Sequence, residues 1–251
     1  MSELLRCQDV AKKYGGVVAL RGVDFHVSEG EIVGLVGANG AGKSTLIDII
    51  SGITPPTSGR VMMAGQPVRG GAAKRSRHGI ARTFQMPQYA TELTLRENIA
   101  AGLAGRRIGN WWSVTMQAAL ALVGVPGWGD EADRVSREVG LQRIDRLASE
   151  VSFGELRLVE VARALIQQPR LVMLDEPFPG LDETGVAGVM TSLRHLRDRG
   201  HGVLLVDHNV DMVASVVDRI VLLADGEIVL SADVETCLKS AIFRERYLGV
   251  K

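Results

Sequence analysis

The chain has 251 residues, enough for one compact domain with a substantial core. Its 29 basic and 29 acidic residues cancel, which argues against a general nucleic-acid binder, since that function calls for a basic excess. The two cysteines, Cys7 and Cys237, lie far apart without metal-type spacing and read as reduced, buried thiols of a cytosolic protein.

From the N-terminus, charges interrupt every apolar run of MSELLRCQDVAKKY, so no signal peptide is expected. Leu4–Val10 and Leu20–Val27 read as strands, the second by alternation. Glu31–Val36 is an almost continuous apolar strand, the pattern of a parallel strand covered on both faces. A Gly-rich loop follows, then a helix from about Lys43 to Ser51. Arg60–Met63 and Pro67–Val68 predict short strands in an antiparallel patch beside the first two, and Gly79–Phe84 predicts another strand. From about Leu95 to Arg146 the pattern is mostly helical and reads as an insert. The stretch from Trp111 to Trp128 contains Gln117, Gly124, Pro126 and Gly127 and cannot supply the roughly 20 apolar residues of a membrane span. The chain is therefore expected to be soluble and cytoplasmic, reaching a membrane only through a partner.

Further on, an apolar face predicts a helix over Gly154–Gln167. Strand Leu171–Leu174, helix Thr184–Asp198, strand Val203–Val206 and helix Val210–Val217 alternate as in a parallel α/β sheet. Arg219–Leu223 and Glu227–Leu230 flank an Asp225-Gly226 turn and predict a hairpin.

Gly37-Ala38-Asn39-Gly40-Ala41-Gly42-Lys43-Ser44, followed by Thr45, fits the phosphate-loop pattern GxxxxGK(S/T) between a strand and a helix. Glycines let backbone N–H groups approach phosphate oxygens, and the helix start adds partial positive charge. Lys43 supplies a point charge for the β- and γ-phosphates, and Ser44 a hydroxyl for Mg²⁺. This context predicts ATP and Mg²⁺ as ligands. Strand 171–174 ends in Asp175 and Glu176, at the carboxyl edge where ligands of parallel sheets sit. Asp175 is placed to hold Mg²⁺ through water and Glu176 to polarise the attacking water. His208, at the end of the next strand, is placed to hydrogen-bond the γ-phosphate.

With these residues assembled, the chain resembles the ATP-binding subunits of ABC transporters over nearly its whole length. Three more motifs carry the likeness. Gln85 in RTFQ matches the Q-loop glutamine, a Mg²⁺ contact in that family. Val151-Ser152-Phe153-Gly154-Glu155 stands where the family has its LSGGQ signature; Ser152 and Gly154 agree, Phe153 and Glu155 are variants, and Leu156 replaces a polar residue. Pro179-Gly180-Leu181-Asp182 matches the D-loop. Tyr14 matches the position where an aromatic ring stacks on adenine.

The resemblance implies a single nucleotide-binding domain over 1–251. Its expected fold is α/β of the P-loop NTPase, RecA-like class. An N-terminal antiparallel β subdomain and a parallel core would take about 1–85 and 156–251, with an inserted α-helical subdomain over about 86–155. It also implies a head-to-tail dimer with a second ATP-binding subunit, identical or homologous. In that dimer each ATP lies between one chain's loop and the other's Ser152–Glu155. Transmembrane permease subunits, a periplasmic substrate-binding protein reached through them, and a peripheral place on the cytoplasmic face of the membrane complete the implied assembly. RTFQ, LTLRENIAAG and the ending RYLG are most similar to importers of branched-chain or other hydrophobic amino acids; DEPFPGLD and VDHNV also resemble the ATPase of lipopolysaccharide export, and a soluble ABC ATPase outside transport is a further alternative. The insert and the segment Met86–Ala90 are expected to meet the permease.

Overall fold

The computed structural model describes residues 2–83, 89–108 and 128–248, with side chains for all of these except 104–108, Trp128 and Leu248. Gln85, the segment Met86–Gln88 and the pair Trp111-Trp112 lie outside the described residues.

Among the described residues the strands form two sheets. The first contains β1 (Glu3–Tyr14), β2 (Val17–Ser28), β4 (Ser58–Met63) and β5 (Gln66–Pro67), in the antiparallel order β2-β1-β4-β5. The second contains β3 (Ile32–Val36), β6 (Ile80–Arg82), β7 (Leu171–Asp175), β8 (Gly202–Val206), β9 (Arg219–Ala224) and β10 (Glu227–Asp233), in the order β10-β9-β3-β8-β7-β6. In it β9, β3, β8, β7 and β6 are parallel, and β10 returns antiparallel along β9.

Every residue of β3, β7 and β8 is buried, because both faces of this sheet are covered. Alternation then divides the side chains between two cores. Val33, Leu35, Leu171, Met173, Leu204 and Val206 pack with β1, β2 and helix α1 (Lys43–Ser51). Val36, Val172, Leu174, Val203 and Leu205 pack in the opposite core. That core also takes residues of α3 (Leu95–Ile108), α4 (Trp128–Glu138), α5 (Phe153–Leu165) and α6 (Glu183–Asp198). Each fully buried Val or Leu contributes roughly 1.5–3 kcal/mol, so the strands that carry the site are among the most firmly held elements. Cys7 and Cys237 are free and buried, one in each core. Burial pushes their thiols up to about 12 and about 11.

The structure departs from the periodicity in several places. The helix expected over Val210–Val217 is shorter, α7 (Val210–Ala214), with Ser215 as its C-cap. Val216 and Val217 are buried, but they lie on the connection into β9. Helices α2 (Ala72–Arg77) and α8 (Val234–Lys239), and the helical turns over 241–248, were not expected from the sequence.

Candidate active site

Parallel strands deliver their following loops to one sheet edge. β3 runs into Gly37, β7 ends at Asp175, and β8 is followed by Asp207 and His208. Leu35 is paired beside Val206, and Val206 beside Asp175, so these loops leave at one level.

The Gly-rich loop needs its glycines for two separate reasons. Gly42 has φ +107° and Gly40 φ +82°, in the left-handed region. A Cβ on Gly42 would also lie 2.7 Å from the Ala19 carbonyl oxygen, and one on Gly37 2.3 Å from that of Leu223. The loop is thus pressed between β2 and β9, and Gly226 of the β9–β10 turn donates its N–H to the Ala41 carbonyl (3.1 Å). α1 starts at Lys43 without a side-chain cap. Its first N–H groups keep their capacity for an anionic ligand, favoured there by the helix dipole.

Lys43 folds back over the loop. Its Nζ donates to the carbonyls of Gly37 (2.6 Å) and Ala38 (3.1 Å). An ammonium has three donors, so one remains for a phosphate oxygen. Burial lowers the Lys43 pKa, while the carboxylates of Glu176, Asp175 and Asp207 push it back up. The structure therefore brings one cation and three carboxylates within electrostatic reach. Asp207 is a member that the sequence reading passed over. Its Oδ1 accepts from the Asn209 N–H (2.9 Å), and its Oδ2 is buried without a partner among the described residues.

Asp175 is 3% exposed, and its Oδ2 accepts from Arg82 Nη2 at 2.9 Å. Glu176 has φ +48°, unusual for a residue with a side chain, and its N–H donates to the Val206 carbonyl at 2.7 Å. Such a conformation costs about 1 kcal/mol or more and persists where neighbours impose it. His208 Nδ1 lies 3.8 Å from Glu176 Oε1 and 3.6 Å from Asp207 Oδ1, beyond hydrogen-bond length, and its side chain is 60% exposed. The Tyr247 hydroxyl donates to the His208 backbone carbonyl, which fixes the loop and leaves the ring outward.

The donor set suits Mg²⁺. Asp175 Oδ1 and the exposed Ser44 hydroxyl make no hydrogen bond to the described residues, and both are hard oxygen donors. Among the described residues no group of three or more His, Cys, Asp or Glu could hold a metal by itself. Mg²⁺ needs no such cage, since it keeps waters and takes phosphate oxygens. Held by Asp175 and Ser44, it would offset the charge of the phosphates.

The signature and D-loop residues form a second cluster. Ser152 caps α5: its Oγ accepts from the Glu155 N–H (3.2 Å), and Glu155 Oε2 accepts from the Ser152 N–H (3.0 Å). Glu155 also pairs with Arg146. Its carboxylate is thus committed to the helix start as a capping box, a pattern that S-x-x-E in the sequence announces. A Cβ on Gly154 would approach Gly185 Cα to 3.0 Å, so glycine lets α5 and α6 meet closely. Asp182 caps α6 by accepting from the Gly185 N–H at 2.8 Å. The Phe153 ring lies against Gly180, is 40% exposed, and has the Arg157 guanidinium 5.3 Å from its centroid. Pro179 is exposed, Leu181 half-buried, and Leu156 is buried in the core. Tyr14 is 48% exposed at the end of β1, with Lys12 Nζ 4.8 Å from its ring centre.

Residues 20–179 match the family model described as ABC transporter. The chain belongs to the ABC transporter family. The matched segment holds the loop, Ser152–Glu155, and Asp175 and Glu176 at the end of β7 of this ABC chain. The ribose import ATP-binding protein RbsA 1 of Streptomyces avermitilis is 37% identical over 90% of this chain and 41% of its own length. The chain thus spans less than half of that relative. The lipopolysaccharide export system ATP-binding protein LptB of Acidithiobacillus ferridurans is 32% identical over 99% of this chain and 98% of its own. The probable branched-chain amino acid transport ATP-binding protein LivG of Methanocaldococcus jannaschii is 28% identical over 96% of this chain and 93% of its own. A crystal structure of an ABC transporter ATP-binding cassette in its ADP conformation superposes with a TM-score of 0.85 at 28% identity, covering 99% of this chain and 100% of that one. The fold of this ABC chain is the α/β fold of P-loop NTPases, with the parallel and antiparallel sheets described above.

Proposed function

We propose that this chain binds MgATP on Gly37–Thr45 and hydrolyses it to drive an ABC transporter. What supports the reading most is the convergence of Lys43, Asp175, Glu176 and His208 on one edge of the parallel sheet. In this reading Lys43 holds the β- and γ-phosphates, and Ser44, Asp175 and Gln85 serve Mg²⁺. Glu176 takes a proton from the attacking water, its left-handed backbone aiming the carboxylate off the strand end. His208 contacts the γ-phosphate from the next strand. Tyr14 stacks on the adenine.

The second half of the site comes from a second ATP-binding subunit, packed head to tail. The exposed Ser152 and Phe153, beside the D-loop Pro179–Asp182, support this: α5 opens towards solvent, at a helix start able to meet another chain's phosphate. Ser152 Oγ also donates to Glu155 Oε2 (3.2 Å), so in this reading its hydroxyl turns from Glu155 to the partner's phosphate, beside the nearby N–H groups. Ser152→Arg is expected to bind ATP as the parent does, since its own loop is intact, and to lose dimerisation and turnover. Equilibrium binding and sedimentation with MgATP check this; a variant that dimerises and turns over normally contradicts the shared site.

The residues of about 86–155 form an inserted helical subdomain in this reading and, with Met86–Tyr89, meet transmembrane permease subunits at the cytoplasmic face of the membrane. Among the described residues no helix is long and apolar enough to cross a membrane. For the cargo we infer branched-chain or other hydrophobic amino acids, taken up through a periplasmic binding protein. RTFQ, LTLRENIAAG and the likeness to LivG support that choice. The full-length likeness to LptB favours lipid export as the second reading. Reconstitution with its permease partners decides between them. ATPase stimulation by a binding protein loaded with a hydrophobic amino acid is expected. Stimulation only by lipopolysaccharide or by a ribose-loaded binding protein would overturn the amino-acid reading.

A further inference from the structure

We propose that Arg82 is a positioning residue for the metal carboxylate, a fork that fixes Asp175 against the phosphate-loop helix; this rests on the MgATP reading above. Arg82 closes β6, next to β7, and pairs in register with Met173, two residues before Asp175. Its guanidinium spans two elements. Nη1 donates to Asp48 Oδ1 on α1 (2.5 Å), and Nη2 donates to Asp175 Oδ2 on β7 (2.9 Å). The Arg82 side chain is 10% exposed and that of Asp175 4%, so the contact is screened little by solvent.

The two ends of this bridge carry the two halves of the candidate metal site. Asp48 lies one turn along the helix that opens with Lys43 and Ser44. Asp175 supplies the carboxylate. With Oδ2 held by Arg82, the carboxylate plane cannot rotate freely, and Oδ1 is the oxygen left for a metal-bound water. Hydrogen-bonded partners of ligating carboxylates act in this way. Arginine suits the post because its planar fork bridges two acceptors at fixed spacing, whereas lysine offers a single point charge.

The test compares ATP affinity in EDTA with ATP affinity in Mg²⁺, by titration calorimetry, for the parent chain, Arg82→Lys and Asp48→Asn. Arg82→Lys keeps the charge and breaks the fork; Asp48→Asn weakens only the arm on α1. The expected result is that both variants bind metal-free ATP like the parent, while the gain in affinity on adding Mg²⁺ falls about 10-fold or more in Arg82→Lys and by less in Asp48→Asn. An unchanged Mg²⁺ gain in Arg82→Lys would overturn the proposal. So would a parallel loss of metal-free binding and melting temperature in both variants, which would make Arg82 a support of the fold. A parent chain that binds no ATP in either condition would instead overturn the MgATP reading itself.

Discussion

Glu176→Gln is expected to bind MgATP with nearly the affinity of the parent and to lose turnover by about 100- to 10,000-fold, the range spanned by a positioned general base. The substitution keeps the shape of the side chain and its hydrogen-bonding ability but removes its basicity. The backbone at this position is held at φ +48° by the N–H bond to Val206, which does not depend on the side chain. The geometry of the strand end should therefore survive, and loss of turnover should not be a folding effect. Phosphate release under saturating MgATP, together with nucleotide affinity, checks the prediction. Near-normal turnover would remove Glu176 from the chemistry and return its strained backbone to an unexplained feature.

Lys43→Ala is expected to fail one step earlier. The ammonium braces the loop through the Gly37 and Ala38 carbonyls, and in the proposed site it presents its remaining donor to phosphate. Hydrogen bonds from a charged donor contribute roughly 1.5–3 kcal/mol each. Losing that one phosphate contact should weaken ATP binding by about 10- to 150-fold, since 1.4 kcal/mol is a factor of ten. Glu176, Asp175 and Asp207 would also lose the cation that offsets them, which adds repulsion towards a polyanionic ligand. Calorimetry with MgATP reads the loss. Unchanged affinity would place the nucleotide elsewhere on the chain.

The sequence displayed much of this site because the strands that carry it are apolar on both faces and stop abruptly, at the Gly-rich loop or at a carboxylate. EIVGLV before Gly37 and LVML before Asp175 leave little choice of element, and β8 ends just as plainly before Asp207. Other features were hidden by competing signals. Asp207 was overshadowed by the histidine beside it, although only the fold places it near Lys43. Arg82 reads as part of a similarity stretch; its bridge from Asp48 to Asp175 needs the pairing of β6 with β7. Val216 and Val217 prolong a helical apolar pattern, yet both are buried on the way into β9, so burial and helix were confused. α8 was legible and missed: Asp233 caps it by accepting from the Thr236 N–H at 2.9 Å, and Glu235 and Lys239 pair one turn apart.

The most direct test of the account is a crystal structure of Glu176→Gln grown with MgATP. The account predicts the γ-phosphate on Lys43 Nζ and the first N–H groups of α1, the metal between Ser44 and Asp175, and Ser152 of a second chain facing the same phosphate. Nucleotide bound away from Gly37–Thr45, or a metal that ignores Asp175, would contradict it.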